Sequence, residues 1–276
     1  MDSSGGFQVR VDYKLTFPLL YNSRTGGTLM IFPEWTTTNQ ILYAALAVLA
    51  IGVGPAEYYG QSMMFYSKFR SASGIPSRVS MVILYSAPIV ALFASARGYL
   101  PNASLIQWAV FGAVFIHFTK RVLESLFLHK YSSHAGLFTT ILIASFYSTA
   151  AYLIGWMNRN PISAMDAWFA LGIALFAAGM AGNFYHHKLL ADLRKGSFDY
   201  FIPEGGLFEF AVCPHYLFEI LTWLGIALLS RHLAAWLILL FIAAYLTARS
   251  LRTLKWYHDK FPDFPKDRKA ILPFIL

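Results

Sequence analysis

Two stretches of this chain, residues 79–96 and 137–157, carry no charged side chain at all. A run of about 20 apolar residues is long enough to cross a lipid bilayer as a helix, and inside lipid only a helix or a closed barrel satisfies its own backbone. Five further stretches read the same way, so the expected spans are 41–59, 79–96, 105–118, 137–157, 167–185, 208–230 and 233–248. The chain as a whole agrees: 57% of its 276 residues are apolar and only 13% are charged, where soluble domains run nearer a half and a quarter. That balance excludes a disordered chain and a water-soluble domain. The single cysteine, Cys213, excludes an intramolecular disulfide and a cysteine-based metal site. The expected fold class is therefore all-α, a polytopic membrane protein of about seven transmembrane helices.

The net charge of +8 follows from topology and needs no nucleic acid. With the N-terminus outside, 16 of the Lys and Arg residues fall in inner loops and the C-terminal tail, against six outside (Arg10, Lys14, Arg24, Arg97, Arg159, Arg231), as the positive-inside rule demands. Residues 1–40 then read as a short outer segment and 41–276 as one membrane-embedded unit.

Ionisable groups within a bilayer are expensive and default to functional hypotheses. Here they gather at the inner ends of the spans. Arg121 and Glu124, in "HFTKRVLESLFLHKYSS", lie three apart and share a helix face. Asn183, His186 and His187 end the fifth span in "GNFYHHKLLADLRK", and Cys213, Pro214, His215, Tyr216 and Glu219 open the sixth in "GGLFEFAVCPHYLFE". Tyr257 and Arg268 stand in the tail, "KWYHDKFPDFPKDRKAILPFIL". Four distant segments thus converge at one depth. Against this, isolated basic residues such as Lys195, Lys266 and Lys269 serve as headgroup anchors in most membrane proteins, Pro214 is readable as a kink, and Tyr85 with Pro88 as core packing. The pair His186-His187 is too little for a histidine-rich iron site in a chain with eight histidines, so no metal is expected. The residues alone describe a membrane enzyme or transporter with a His/Tyr/Glu-lined inner site and do not name its reaction.

The stretch from about Asn183 to Leu276 resembles the steroid 5α-reductase family, through "GN" ahead of "LRK", "IPEGGLFEFAVCPHYLFE" and the Trp-Tyr followed by "PKDRKAILPFIL". The third-span segment "KRVLESLFLHKYSS" is more similar to the trans-2-enoyl-CoA reductase branch. The resemblance implies seven helices with a cavity open to the cytosol, an endoplasmic reticulum location with lumenal N-terminus and cytosolic C-terminus, and NADPH held by residues 183–276. By motif, Asn183, Arg194, Tyr200, His215, Glu219, Tyr257 and Arg268 would line the NADPH site, with Arg194 and Arg268 on phosphate. Tyr216 matches the active-site tyrosine of the enoyl-CoA branch, and Arg121 and Glu124 would line the site.

Three positions depart from the family pattern. The steroid reductases hold the substrate carbonyl with a glutamate on the second helix and a tyrosine on the third; Ser86 and Phe118 stand there, leaving Tyr85 and Tyr216 as the available phenols. Phe201 replaces an arginine, and Glu57, in "EYYGQ", aligns with the loop after the first helix. The implied activity is NADPH-dependent reduction of the C=C bond of an α,β-unsaturated lipid carbonyl, a 3-oxo-Δ4-steroid, with a very-long-chain trans-2-enoyl-CoA as the alternative. A third reading from another class, a membrane S-adenosylmethionine-dependent methyltransferase, rests on "CPHYLFE" alone.

Overall fold

In a computed structural model the protein is described over residues 29–60, 74–131, 134–161, 164–193 and 199–276. These residues form seven long α-helices: α1 (Thr37–Tyr59), α2 (Ser77–Ala96), α3 (Leu105–Leu123), α4 (Leu137–Met157), α5 (Ala167–Asp192), α6 (Pro214–Ser230) and α7 (Leu233–Lys260). Five of them, α1, α2, α4, α5 and α7, are long and apolar enough to cross a membrane, and the chain is a multi-pass membrane protein. The two that fall short are the shortest, α3 with 19 residues and α6 with 17. Of these, α6 packs on α5, α7 and α3 with most of its residues buried, whereas α3 leaves Leu105, Trp108, Ile116 and Leu123 exposed. The strands are two residues each, Ile75–Pro76 paired antiparallel with His134–Ala135.

The helix starts are written locally. Thr36 caps α1 by accepting from the Asn39 amide, Ser104 and Gln107 form a reciprocal capping box at α3, and Asp166 accepts from the Phe169 amide at α5. The sixth helix begins at Pro214 and not at the expected 208. Gly206–Glu209 form a 3₁₀ turn, and Pro214 occupies the first helical turn, where its missing N–H costs nothing, so it starts the helix and does not kink it. Two helices outrun their apolar spans: α5 continues to Asp192 and α7 to Lys260. The bilayer ends the hydrophobic pattern, but Lys, Arg and Leu are good helix formers and carry the hydrogen-bond ladder on. Tyr257 is thus helical, not part of a loose tail, and Glu57 lies in the last turns of α1, not in the loop after it.

Close approach between α5 and α6 depends on glycine. A Cβ on Gly179 would stand 2.5 Å from the Thr222 amide nitrogen, and one on Gly225 2.5 Å from that of Phe176. Arg231, left-handed at φ 57°, caps α6 and pairs with Asp166. That guanidinium holds the Asp166 carboxyl below the usual carboxylate range. Ile31 bonds through its amide to the Arg231 carbonyl (2.7 Å) and through its carbonyl to the Leu233 amide (3.0 Å), pinning the chain ahead of α1 to the α6–α7 turn. At the opposite end of α7 the residues that follow it fold back. The Val212 and Cys213 amides bond to the Lys269 and Ala270 carbonyls at 2.9 and 3.0 Å, and Tyr257 stacks on Phe264.

Candidate functional site

A cavity of about 870 Å³ is lined by residues of all seven helices, toward the upper end of the roughly 300–1,000 Å³ range of ligand pockets. Its two parts differ in character. One is walled by apolar residues of α1, α4 and α7, including Leu49, Val53, Ile143, Phe146, Ile238 and Phe241. The other carries Tyr85, Arg121, Asn183, His187, His215, Tyr216, Glu219 and Tyr257 from α2, α3, α5, α6 and α7, with Tyr200 from the segment after α5.

The polar part is tightly cross-bonded. Arg121 donates from Nη2 to the Tyr85 hydroxyl at 2.8 Å and from Nη1 to Glu124 Oε2 at 2.7 Å, with His187 Nδ1 2.9 Å from the same Nη1. Lys120 bonds to Asn183 Oδ1 and lies 2.9 Å from Glu124 Oε1. Asn183 donates onward to the His215 carbonyl at 2.8 Å, fixing the first turn of α6 and with it Tyr216, whose ring centroid lies 4.3 Å from that of His215. Glu219 accepts from Trp223 Nε1 at 3.3 Å and faces His117 Nε2 at 3.3 Å. His129 packs edge-on against His187; burial first, and then the positive charge of nearby Arg121, hold its imidazole well below the ordinary histidine value.

Most of the expected site residues meet here: Tyr85, Arg121, Asn183, Tyr200, His215, Tyr216, Glu219 and Tyr257 all line the cavity. Two do not. Glu124 sits one layer behind Arg121, because the i, i+3 spacing that puts both on one face also lets the shorter acid bond to the longer base. Arg268 does not line the cavity; it donates to the Pro203 carbonyl at 2.7 Å and lies 3.7 Å from Glu209. Arg194 lies outside the described residues. The expectation from sequence passes over His187, His129, Lys130, Tyr131 and Arg249, which also line the cavity. His187 belongs to a quoted motif and was recoverable from it. Arg249 reads from sequence as one more topology charge, and nothing local reveals that it meets Glu57, 192 residues away.

Among the described residues one group, Glu124, His129 and His187, places ligand-type atoms within 4.8 Å of one another. The Arg121 guanidinium already bonds to two of its three members, so the charge a metal would supply is present as an arginine.

A family model described as 3-oxo-5-alpha-steroid 4-dehydrogenase matches residues 113–276. The chain is 32% identical over 255 residues to the 3-oxo-5-alpha-steroid 4-dehydrogenase 1 of Bos taurus, a match covering 86% of this chain and 98% of that protein. The protein of the same name from Rattus norvegicus is 36% identical over 191 residues, covering 66% and 71% of the two chains. The very-long-chain enoyl-CoA reductase of Dictyostelium discoideum is 32% identical over 166 residues, covering 58% and 55%.

Proposed function

Because the chain belongs to the steroid 5α-reductase family, a family of oxidoreductases acting on CH–CH groups, we propose that it reduces the C=C bond of an α,β-unsaturated lipid carbonyl, a 3-oxo-Δ4-steroid, with NADPH. The observation that carries this reading is the Tyr85 phenol, fixed by Arg121 inside a cavity whose other part is apolar. Reduction of an enone builds negative charge on the carbonyl oxygen, and a preset donor aimed at that oxygen lowers the barrier. A phenol that accepts from a guanidinium is polarised into a stronger O–H donor. Tyr85 is therefore the carbonyl donor, and Tyr216, on the first turn of α6, delivers the proton to the α-carbon.

NADPH, when bound, supplies the hydride for the β-carbon. The residues present fit such a group. Arg268 is buried, and its Nε has no hydrogen-bond partner among the described residues, a donor suited to phosphate. Asn183, Tyr200, His215, Glu219 and Tyr257 line the same part of the cavity and would hold the cofactor, with Arg194 as a second phosphate ligand. Arg268→Ala is expected to raise the KM for NADPH by roughly tenfold or more, given about 1.5–3 kcal/mol for a charge-assisted hydrogen bond, and Arg194→Ala likewise; unchanged KM values would remove both from the phosphate site.

The thioester remains the second reading, favoured by Tyr216 on the cavity wall and by the Dictyostelium relative. A CoA substrate needs free cations at the mouth. Of the lysines near the cavity, Lys120 is engaged by Glu124 and Asn183 and Lys188 by Asp192, and Lys130 lines the wall. That arrangement supports the steroid. The methyltransferase reading has lost its support, since its one motif lies within the family match. The location we infer is the endoplasmic reticulum membrane, with residues 1–40 lumenal, 41–276 acting as one unit, 183–276 holding the cofactor, and the C-terminus cytosolic, as the charge asymmetry supports. The test is NADPH oxidation by membranes carrying the protein, with progesterone and a long-chain trans-2-enoyl-CoA in parallel. Steroid turnover alone is the expected result; thioester turnover alone replaces the substrate, and no oxidation with any enone defeats the reading.

A further inference from the structure

Immediately after α3 the backbone widens into a π-helical turn over Glu124–Leu128, closed by a 2.9 Å bond from the His129 amide to the Glu124 carbonyl. Such turns are rare and concentrate at functional sites. This one places a carboxylate, only 3% exposed, under the guanidinium of Arg121, and brings the His129 ring 4.9 Å from that of His187. Arg121 donates from Nη1 to Glu124 and from Nη2 to Tyr85. His187 Nδ1 closes the cluster, 2.9 Å from Arg121 Nη1 and 3.1 Å from Glu124 Oε2, accepting from the one or donating to the other according to its tautomer. Bonds from both terminal nitrogens fix the place and the tilt of a planar ion. The second carboxylate oxygen is held by Lys120, which is itself bonded to Asn183.

We propose that Glu124 is a positioning residue, which acts through Arg121 to keep the Tyr85 hydroxyl aimed into the cavity. The proposal rests on the reductase reading above and extends it to a residue that does not touch the substrate, since Glu124 lies behind the cavity wall. Without the carboxylate, Arg121 keeps His187 and Tyr85 as partners but loses the one that opposes its charge. A long, buried cation then has reason to turn toward any other acceptor, and the phenol loses its fixed orientation.

The experiment is a double-mutant cycle. Glu124→Gln, which keeps shape and removes charge, and Glu124→Asp are each made with Tyr85 present and with Tyr85→Phe. The kcat for enone reduction and the Kd for NADPH, from quenching of protein fluorescence, are measured for each. Glu124→Gln is expected to lower kcat by about 10–100-fold, the scale of an ångström-sized misplacement, with the NADPH Kd within about twofold and Glu124→Asp recovering part of the loss. In the Tyr85→Phe background the same change should lower kcat less than about threefold, because the group it positions is gone. Equal losses in both backgrounds, or full activity of Glu124→Gln, would overturn the proposal alone. If Glu124→Gln no longer binds NADPH, the same comparison is read from Glu124→Asp, where additive losses have the same meaning. A wild-type protein that binds NADPH and reduces no enone defeats the reductase reading, and the proposal with it.

Discussion

Tyr85→Phe is expected to lower kcat for the enone by about 10²–10³-fold, the usual consequence of removing one oxyanion donor, while NADPH binding stays unchanged. The reasoning begins with what the substitution leaves in place. Phenylalanine keeps the ring that stacks on Tyr147 at 5.9 Å and over which the Arg121 guanidinium lies at 4.8 Å, so the packing of α2 on α4 survives. Only the hydroxyl is lost, and with it the acceptor of Arg121 Nη2. Arg121 then faces the cavity without the phenol between it and the carbonyl, too far back to replace a donor at bonding distance. The KM for the steroid should change less than kcat, because the interaction strengthens as charge develops. Tyr216→Phe separates the two phenols. It also lowers kcat, and it should suppress incorporation of solvent hydrogen at the α-carbon, whereas Tyr85→Phe slows reduction without changing where solvent hydrogen appears. A Tyr85→Phe protein of full activity would pass the carbonyl to Tyr216.

The elements of the fold were legible to different degrees, for physical reasons. The fourth helix was expected over 137–157 and spans Leu137–Met157, because its apolar run starts directly after Gly136 and stops at Asn158 and Arg159. The fifth and seventh were cut short at 185 and 248, since hydropathy reports where lipid ends and the hydrogen-bond ladder does not stop there. The polar cluster was legible as residue types at a common depth: Tyr85, Arg121, Asn183, His215, Tyr216 and Glu219 all reach one cavity. What sequence could not supply was the order of layers. Arg121 and Glu124 look equivalent on a helical wheel, yet one meets the cavity and the other buttresses it. Arg268 belongs to the most distinctive motif in the chain and still does not line the cavity; the backbone ladder from Lys269 and Ala270 to Val212 and Cys213 ties that motif to the segment ahead of α6. Long-range ion pairs were wholly illegible, and the largest of these carries the second prediction.

Glu57→Leu is expected to destabilise the folded protein by about 3–5 kcal/mol, the typical loss when one partner of a buried ion pair is removed, read as a fall of roughly 10 °C in the unfolding midpoint in detergent. Glu57 Oε1 accepts from Arg249 Nη1 and Arg252 Nη1, each at 2.9 Å, and Arg252 also donates to the Glu57 carbonyl at 3.0 Å. The Glu57 and Arg249 side chains are each only 2% exposed, so the pair is shielded from water and from most screening. A charge at this depth is expensive wherever the surrounding medium is protein or lipid, and without the carboxylate the Arg249 guanidinium keeps its desolvation penalty and loses this counter-charge. The geometry makes the loss local to one joint. Helix α1 rests on α7, where Gly54 lets the Ala244 side chain approach, and the ion pair is the polar fastening of that contact. Both helices wall the cavity, so a loosened α1 should also raise the KM for a lipid substrate before the protein unfolds. Glu57→Leu combined with Arg249→Met separates fastening from packing, because it removes both deeply buried charges and leaves Arg252, the more exposed of the two arginines at 15%, free to turn to water. The double variant should recover more than half of the lost stability. If it is no more stable than Glu57→Leu alone, the contribution of Glu57 lies in packing and not in its charge, and α1 is held to the bundle by apolar contact along α7.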